Sequence, residues 1–229
     1  MINHKWLYAK WQDNLKGCEM KNKLIITILC ALLIACSPKK SEQEYIASAE
    51  QLMSEGSYKE AIIELKNAVD LNKKAPQNRI LLAQSYLRLG NIAGAQKEFN
   101  RALELGGDAN QILPELIRVN LYVGDTGTAI ELLESQPDLH PKTLTEINAL
   151  VGIGISQISN FEQGMRILAR TLAYEQTENF YYQLAKAWVA ANEKQLQLAI
   201  ELTQTLAEND SEFNDAQLLL SNLYVLDGN

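Results

Sequence analysis

The chain has 229 residues, with 21 Lys plus Arg against 28 Asp plus Glu, a formal net charge of −7, and only 12 Gly, 5 Pro and 3 Cys. Scarce Gly and Pro beside abundant Ala, Leu, Glu, Gln and Asn favour helices over a turn-rich all-β domain. The acidic balance argues against a nucleic-acid surface, which needs clustered Lys and Arg, and three Cys in a chain this long cannot make a disulfide scaffold. His4, Trp6, Trp11, Cys18 and Cys30 all precede residue 36, leaving His140, Trp188 and Cys36 as the last of their kinds. Metal sites, cofactor sites and nucleophilic triads are therefore not expected in the body of the protein, which reads as non-catalytic.

Residues 1–35 read as an address. Lys21 and Lys23 precede an apolar run from Leu24 to Ile34, followed by Ala35, Cys36, Ser37 and Pro38. A bilayer span takes about 20 apolar residues, so this shorter run suits the apolar region of a secretory signal. Leu33, Ile34, Ala35 and Cys36 resemble the lipobox of bacterial lipoproteins, which implies cleavage before Cys36 and lipid attachment to it. Lasting attachment takes more than one acyl chain. Ser37 in the next position is similar to the outer-membrane sorting pattern, which implies an anchored protein facing the periplasm. Residues 1–19 fit no part of such a signal, and Met20 is expected to be the true start. Residues 1–35 hold five of the basic and two of the acidic side chains, so the remainder carries 16 against 26, a net −10. Residues 36–44 are polar and read as a tether.

From residue 45 onward a period of 34 organises the chain. Ala49, Leu52, Gly56, Tyr58, Ala61, Leu65, Ala68 and Leu71 align at that offset with Ala83, Tyr86, Gly90, Ile92, Ala95, Phe99, Ala102 and Leu105. A third copy follows through Ile117, Gly124, Ala129 and Leu133. A fixed period over several copies is the signature of a repeat array, and this spacing resembles the tetratricopeptide repeat, a helix-turn-helix unit. The resemblance implies an all-α, right-handed α-solenoid. Ala61, Leu65 and Ala68, spaced by four and three, share one helix face. Small Ala residues permit close helix approach, and Gly56, Gly90 and Gly124 suit the left-handed residue that ends a helix.

Later copies drift. Ser159 to Thr171, with Gly164 and Leu168, reads as the turn and second helix of a fourth unit at an offset of 35 from Gly124. The extra residue falls around Gln136 to Pro141, where prolines stop one helix and start the next, and His140 between them reads as an exposed loop residue. A fifth unit runs from about Phe180 to Ala191, turns through Asn192, Glu193 and Lys194, and returns from Gln195 to about Ala207. A sixth begins near Phe213 with Leu218, Leu219, Leu220, Leu223, Val225 and Leu226 on its first helix. Residues 45–229 thus hold about five and a half units, and solenoids close with a polar cap. The apolar sixth helix predicts either a longer array or a partner on that side.

Arg101 to Asp125, the Lys66 to Val69 stretch and the Arg79 to Tyr86 helix, together with the lipobox, resemble the tetratricopeptide lipoproteins of the PEP-CTERM/exosortase system. That resemblance implies an envelope protein linked to exopolysaccharide production and to export of surface proteins. In stacked repeats the first helices line a concave groove suited to an extended peptide or a partner helix. The register puts Ile46, Glu50 and Met53, then Gln77, Ile80, Gln84, Leu87 and Arg88, then Gln111, Arg118, Leu121 and Tyr122 in that groove. Gln84, Arg88, Arg118 and Tyr122 are the candidate partner-binding residues, the two Arg for an acidic group and Tyr122 as an amphipathic anchor.

The Lys and Asn by which chaperone-binding members of the repeat family hold a C-terminal carboxylate are replaced here by Ile46, Glu50, Gln111 and Glu115. Tyr181, Tyr182 and Trp188 read chiefly as core, with a glycan-binding patch as the alternative. Glu131 and Glu134 lie at i and i+3 on a helix, where solvation is the ordinary explanation. The expected function is a lipid-anchored scaffold holding a protein or peptide in its groove. The alternative is a pilotin-like or outer-membrane assembly lipoprotein on the same repeats.

Overall fold

The computed structural model describes residues 40–135, 138–173, 178–209 and 214–227. The expected signal region, Cys36 and the tether up to residue 39 lie outside them, as do Gln136, Pro137, Phe213, Gly228 and the side chains of Leu218 and Leu226.

Among the described residues the chain forms eleven helices and no strand. The helices come in antiparallel pairs: α1 (Glu42–Ser54) with α2 (Tyr58–Leu71), α3 (Pro76–Arg88) with α4 (Ile92–Glu104), and α5 (Ala109–Tyr122) with α6 (Thr126–Glu134). Two further pairs are α7 (Pro141–Ile158) with α8 (Phe161–Leu172), and α9 (Phe180–Asn192) with α10 (Leu196–Asn209), after which α11 (Asn214–Asp227) begins a sixth unit. The repeats form one compact unit that starts at Glu42, inside the stretch expected as tether. Glu42 belongs to the fold because its carboxylate accepts from Asn72 Nδ2 at 3.0 Å and from Asn78 Nδ2 at 2.9 Å.

The repeating glycines set the turns. Gly56, Gly90 and Gly124 have φ of +75°, +71° and +80°, the left-handed region that only Gly enters cheaply. Each closes a Schellman motif: Asn91 N donates to Tyr86 O at 2.9 Å and Asp125 N to Asn120 O at 2.8 Å, as Ser57 N does to Leu52 O at 2.8 Å. After the second, third and fourth turns the next helix starts on a side-chain cap, with Asn91, Asp125 and Asn160 accepting from Gly94 N, Thr128 N and Gln163 N, each at 3.0 Å. His140 is exposed and also caps: its Nδ1 accepts from Lys142 N at 3.3 Å, with Pro141 as the first residue of α7. In the fifth turn Lys194 stands where the first three have Gly and takes φ +66°, alone among the described non-Gly residues in that region.

The small and large residues of the 34-residue period are the core. Ala49, Ala61, Leu65, Ala68, Ala83, Ala95, Phe99, Ala102, Ile117 and Ala129 are all fully buried. Ile80 differs from its expected place in the groove: it is 1 % exposed and packs with Ala83, Ala95 and Phe99. An isoleucine one turn before the small residue gains more by filling the space between helices than by facing water.

Successive repeats are joined in two ways. In the first units the second helix carries the link to the next pair, α2 packing on α3 and α4 on α5, and polar contacts bridge the elements. Gln96 Nε2 donates to the buried Asn120 Oδ1 at 2.8 Å between α4 and α5, while within the second pair Arg79 Nη1 of α3 meets Glu98 Oε2 of α4 at 2.6 Å. From α5 onward the first helices also pack directly on one another, α5 on α7 and α7 on α9. Glycine permits this: a Cβ on Gly154 of α7 would lie 2.7 Å from Leu121 of α5. Within the fourth pair, a Cβ on Gly164 of α8 would lie 2.4 Å from the carbonyl oxygen of Gly152 and 2.6 Å from Ser156 N. Backbone meets backbone where earlier repeats use Ala61, Ala95 and Ala129.

Candidate functional site

Four first helices, α5, α7, α9 and α11, bound a cavity of ≈ 410 Å³. The repeat register explains which residues reach it. Arg118, Ile153, Trp188 and Asn222 occupy equivalent helix positions at offsets of 35, 35 and 34, so they form a row running from one repeat to the next along the cavity. The same row continues backward to Gln84 and Glu50. Leu150, Leu184 and Leu219, each less than a tenth exposed, supply the floor. Tyr122, 77 % exposed, Gln157 and Ile158 form the rim.

Trp188 is partly buried and fixed, its Nε1 donating to Ser156 Oγ of α7 at 3.1 Å. That bond leaves its indole body as apolar cavity wall. Gly154 lies in the same lining, and the absence of a side chain there leaves room for Leu121.

Arg118 at the α5 end is held from within the chain. Its guanidinium donates to Tyr181 Oη of α9, lies 5.6 Å from the centre of that ring, and approaches Glu146 Oε1 of α7 at 3.6 Å. One cluster therefore ties three successive first helices. Burial raises the Glu146 carboxyl above its ordinary value; the Arg118 charge and a hydrogen bond from Tyr181 oppose this, while Glu115 adds to it. Tyr181 and Tyr182 are buried at 4 % and 7 % exposure, in keeping with their reading as core.

The four sequence-predicted groove residues separate into two groups. Arg118 and Tyr122 line the cavity, whereas half-buried Gln84 and exposed Arg88 sit on α3 outside its lining. Arg118 does meet an acidic group, but that group is Glu146 of the same chain. Sequence reasoning missed Glu146, Ile153 and Asn222. The signal was present: reading the 35-residue offset through the fourth unit places Glu146 in register with Gln111 and Ile153 in register with Arg118. Among the described residues no group of three or more His, Cys, Asp or Glu could hold a metal ion. No described helix is long and apolar enough to cross a membrane. Glu131 and Glu134 are exposed on α6.

Residues 52–113 match the family model of the tetratricopeptide repeat. The fold is similar to that of PilW, a widely conserved type IV pilus biogenesis factor, with TM-score 0.60 and 18% identity over 84% of this chain and 88% of that one. It is similar to Pseudomonas aeruginosa pilF at TM-score 0.58 and 17% identity, over 82% and 84% of the two chains. It is also similar to YrrB, a tetratricopeptide protein with an unusual peptide-binding site, at TM-score 0.53 and 16% identity over 77% and 90%. No curated protein matches the sequence. At these identities the likeness is one of fold, and with the matched repeats and the all-helical pairs it defines the class: an α-solenoid of tetratricopeptide repeats, an architecture for protein–protein interaction.

Proposed function

We propose that this protein is a lipid-anchored scaffold of a bacterial envelope which holds a protein or peptide partner in the groove between its first helices and catalyses nothing itself. The observation that carries the groove is the row of Arg118, Ile153, Trp188 and Asn222 lining one continuous cavity across four repeats. The anchor rests on Lys21, Lys23, the apolar run and the Leu33 to Cys36 lipobox-like segment. Tyr122 with Arg118, and Gln84 with Arg88 in the preceding unit, are the residues assigned to partner contact. The resemblance of the repeats to lipoproteins of the PEP-CTERM/exosortase system supports a partner in exopolysaccharide production or surface-protein export.

Metabolic labelling with an alkyne fatty acid tests the anchor. Label is expected on the wild-type chain in the outer-membrane fraction and absent from Cys36→Ser; an unlabelled wild-type chain overturns it. A pilotin-like role is the second reading, favoured by the fold likeness to a pilus biogenesis factor. It requires altered secretin or barrel assembly when the protein is deleted, and unchanged assembly excludes it.

A further inference from the structure

We infer that the cavity between α5, α7, α9 and α11 is the anchor site for a bulky, uncharged apolar side chain carried by an extended peptide. This rests on the groove reading above and adds the chemistry of its occupant. Its floor is leucine, its wall is the Trp188 indole, and its lining holds one charged residue, Arg118. That charge is matched inside the chain by Glu146 at 3.6 Å. A charged side chain entering would be desolvated beside an already balanced pair. An apolar one gains by burial.

The dimensions select the form of the partner. A helix with its side chains is about 10–12 Å across, so ≈ 410 Å³ holds no more than about one turn of it, whereas the same space suits one or two large side chains. Adjacent helix axes lie about 8–10 Å apart. An extended chain rising about 3.3 Å per residue therefore crosses from α5 to α11 in roughly eight residues. Gln157 and Asn222, exposed at the edge of the lining, offer side-chain amides to its backbone. Exposed Tyr122 and Ile158, at 77 % and 49 %, widen the apolar rim; apolar surface grouped in this way marks an interaction site.

The test is selection of a displayed library of peptides with roughly eight randomised positions on the purified full chain, followed by affinity measurement on variants. Enriched peptides are expected to share a Leu, Ile, Met, Phe or Trp. Their binding is expected to weaken about tenfold or more in Ile153→Lys and measurably in Tyr122→Ala, whose exposed position leaves folding intact. Glu131→Ala, exposed on the second helix α6 and outside the lining, is expected to leave it unchanged. Peptides anchored by charged residues overturn the proposal, as does binding that ignores Tyr122→Ala and Ile153→Lys. If the binding is instead lost in Gln84→Ala or Arg88→Ala, the cavity is excluded while the groove scaffold stands. Enrichment of no peptide overturns the cavity site, and the lipid anchor is judged separately by Cys36→Ser labelling.

Discussion

The first two repeats and the later ones share a period yet hold together differently. Residues 42–105 follow the 34-residue pattern without deviation, with Ala49, Ala61, Ala83 and Ala95 fully buried between helices. Their links are made by second helices and by polar side chains such as Glu42 with Asn78 and Gln96 with Asn120. From α5 onward the first helices pack on each other; past α6 the offset becomes 35 for two units, and in the fourth pair Gly152, Gly154 and Gly164 sit at the close approaches. The groove changes character at the same place. Along the row of equivalent positions, Glu50 and Gln84 give way to Arg118, Ile153 and Trp188, and the cavity lies wholly in the second region. Close approach of first helices is what brings Leu150, Leu184 and Leu219 together as one floor.

Changes in the first region are expected to act through burial of charge. Ala95→Asp places an unpaired carboxylate at a fully buried site and is expected to destabilise by about 3–5 kcal/mol, read by urea denaturation; an unchanged midpoint contradicts the register. Arg79→Leu leaves Glu98, 8 % exposed, without its partner at 2.6 Å and is expected to lower stability by about 3 kcal/mol. In the second region the sensitive residue is Gly164. A methyl there meets the Gly152 carbonyl, so Gly164→Ala is expected to cost about 2 kcal/mol, whereas Ala is the native residue at the matching positions 61, 95 and 129. A neutral Gly164→Ala would remove the distinction between the two halves.

Smaller effects sharpen it. Lys194, at φ +66°, stands where the first three turns carry Gly. Lys194→Gly is expected to stabilise by about 0.5 kcal/mol, the relief of the left-handed strain less the entropy cost of Gly, and Gly90→Ala to destabilise by about 1 kcal/mol. Glu146 gives the second region a pH signature. Its carboxyl is raised by burial, so the folded state binds its proton more tightly than the unfolded state does. Its contribution to stability is therefore fully present below the ordinary carboxylate value and is lost as pH rises through the raised one. Glu146→Gln is expected to flatten the fall in stability as pH rises above the ordinary carboxylate range, measured as denaturation midpoints across that range. An identical slope in both proteins would show that Glu146 is not its source.

Much of the fold could be read from residue spacing alone, because the repeat constrains the same few positions in every unit. A buried Ala at 61, 95 and 129 and a left-handed Gly at 56, 90 and 124 each have one physical solution. The fourth and fifth turns use Ser159 and Lys194 instead, and there the reading depended on carrying the register across an inserted residue. The groove was less legible. Arg118 and Tyr122 fall within the regular copies, 34 residues past Gln84 and Arg88, so their place along the first helix could be read by counting. Ile153, Trp188 and Asn222 become a row only when the shifted offset is followed. Ile80 misled because a groove-side position one turn from a small residue can turn inward, and an isoleucine does so. Glu146 escaped because its partners Arg118 and Tyr181 lie on two other first helices, and no local pattern announces a contact across three repeats.

A partner held on the first-helix side of the second region would lie within reach of Tyr122 and away from α2. Site-specific photocrosslinking in intact cells compares a probe at Tyr122, 77 % exposed at the cavity rim, with one at Ile63, 61 % exposed on the second helix α2. A discrete crosslinked species from position 122 and none from position 63 is predicted; crosslinking from position 63 alone would put the partner on the second-helix face and exclude the groove.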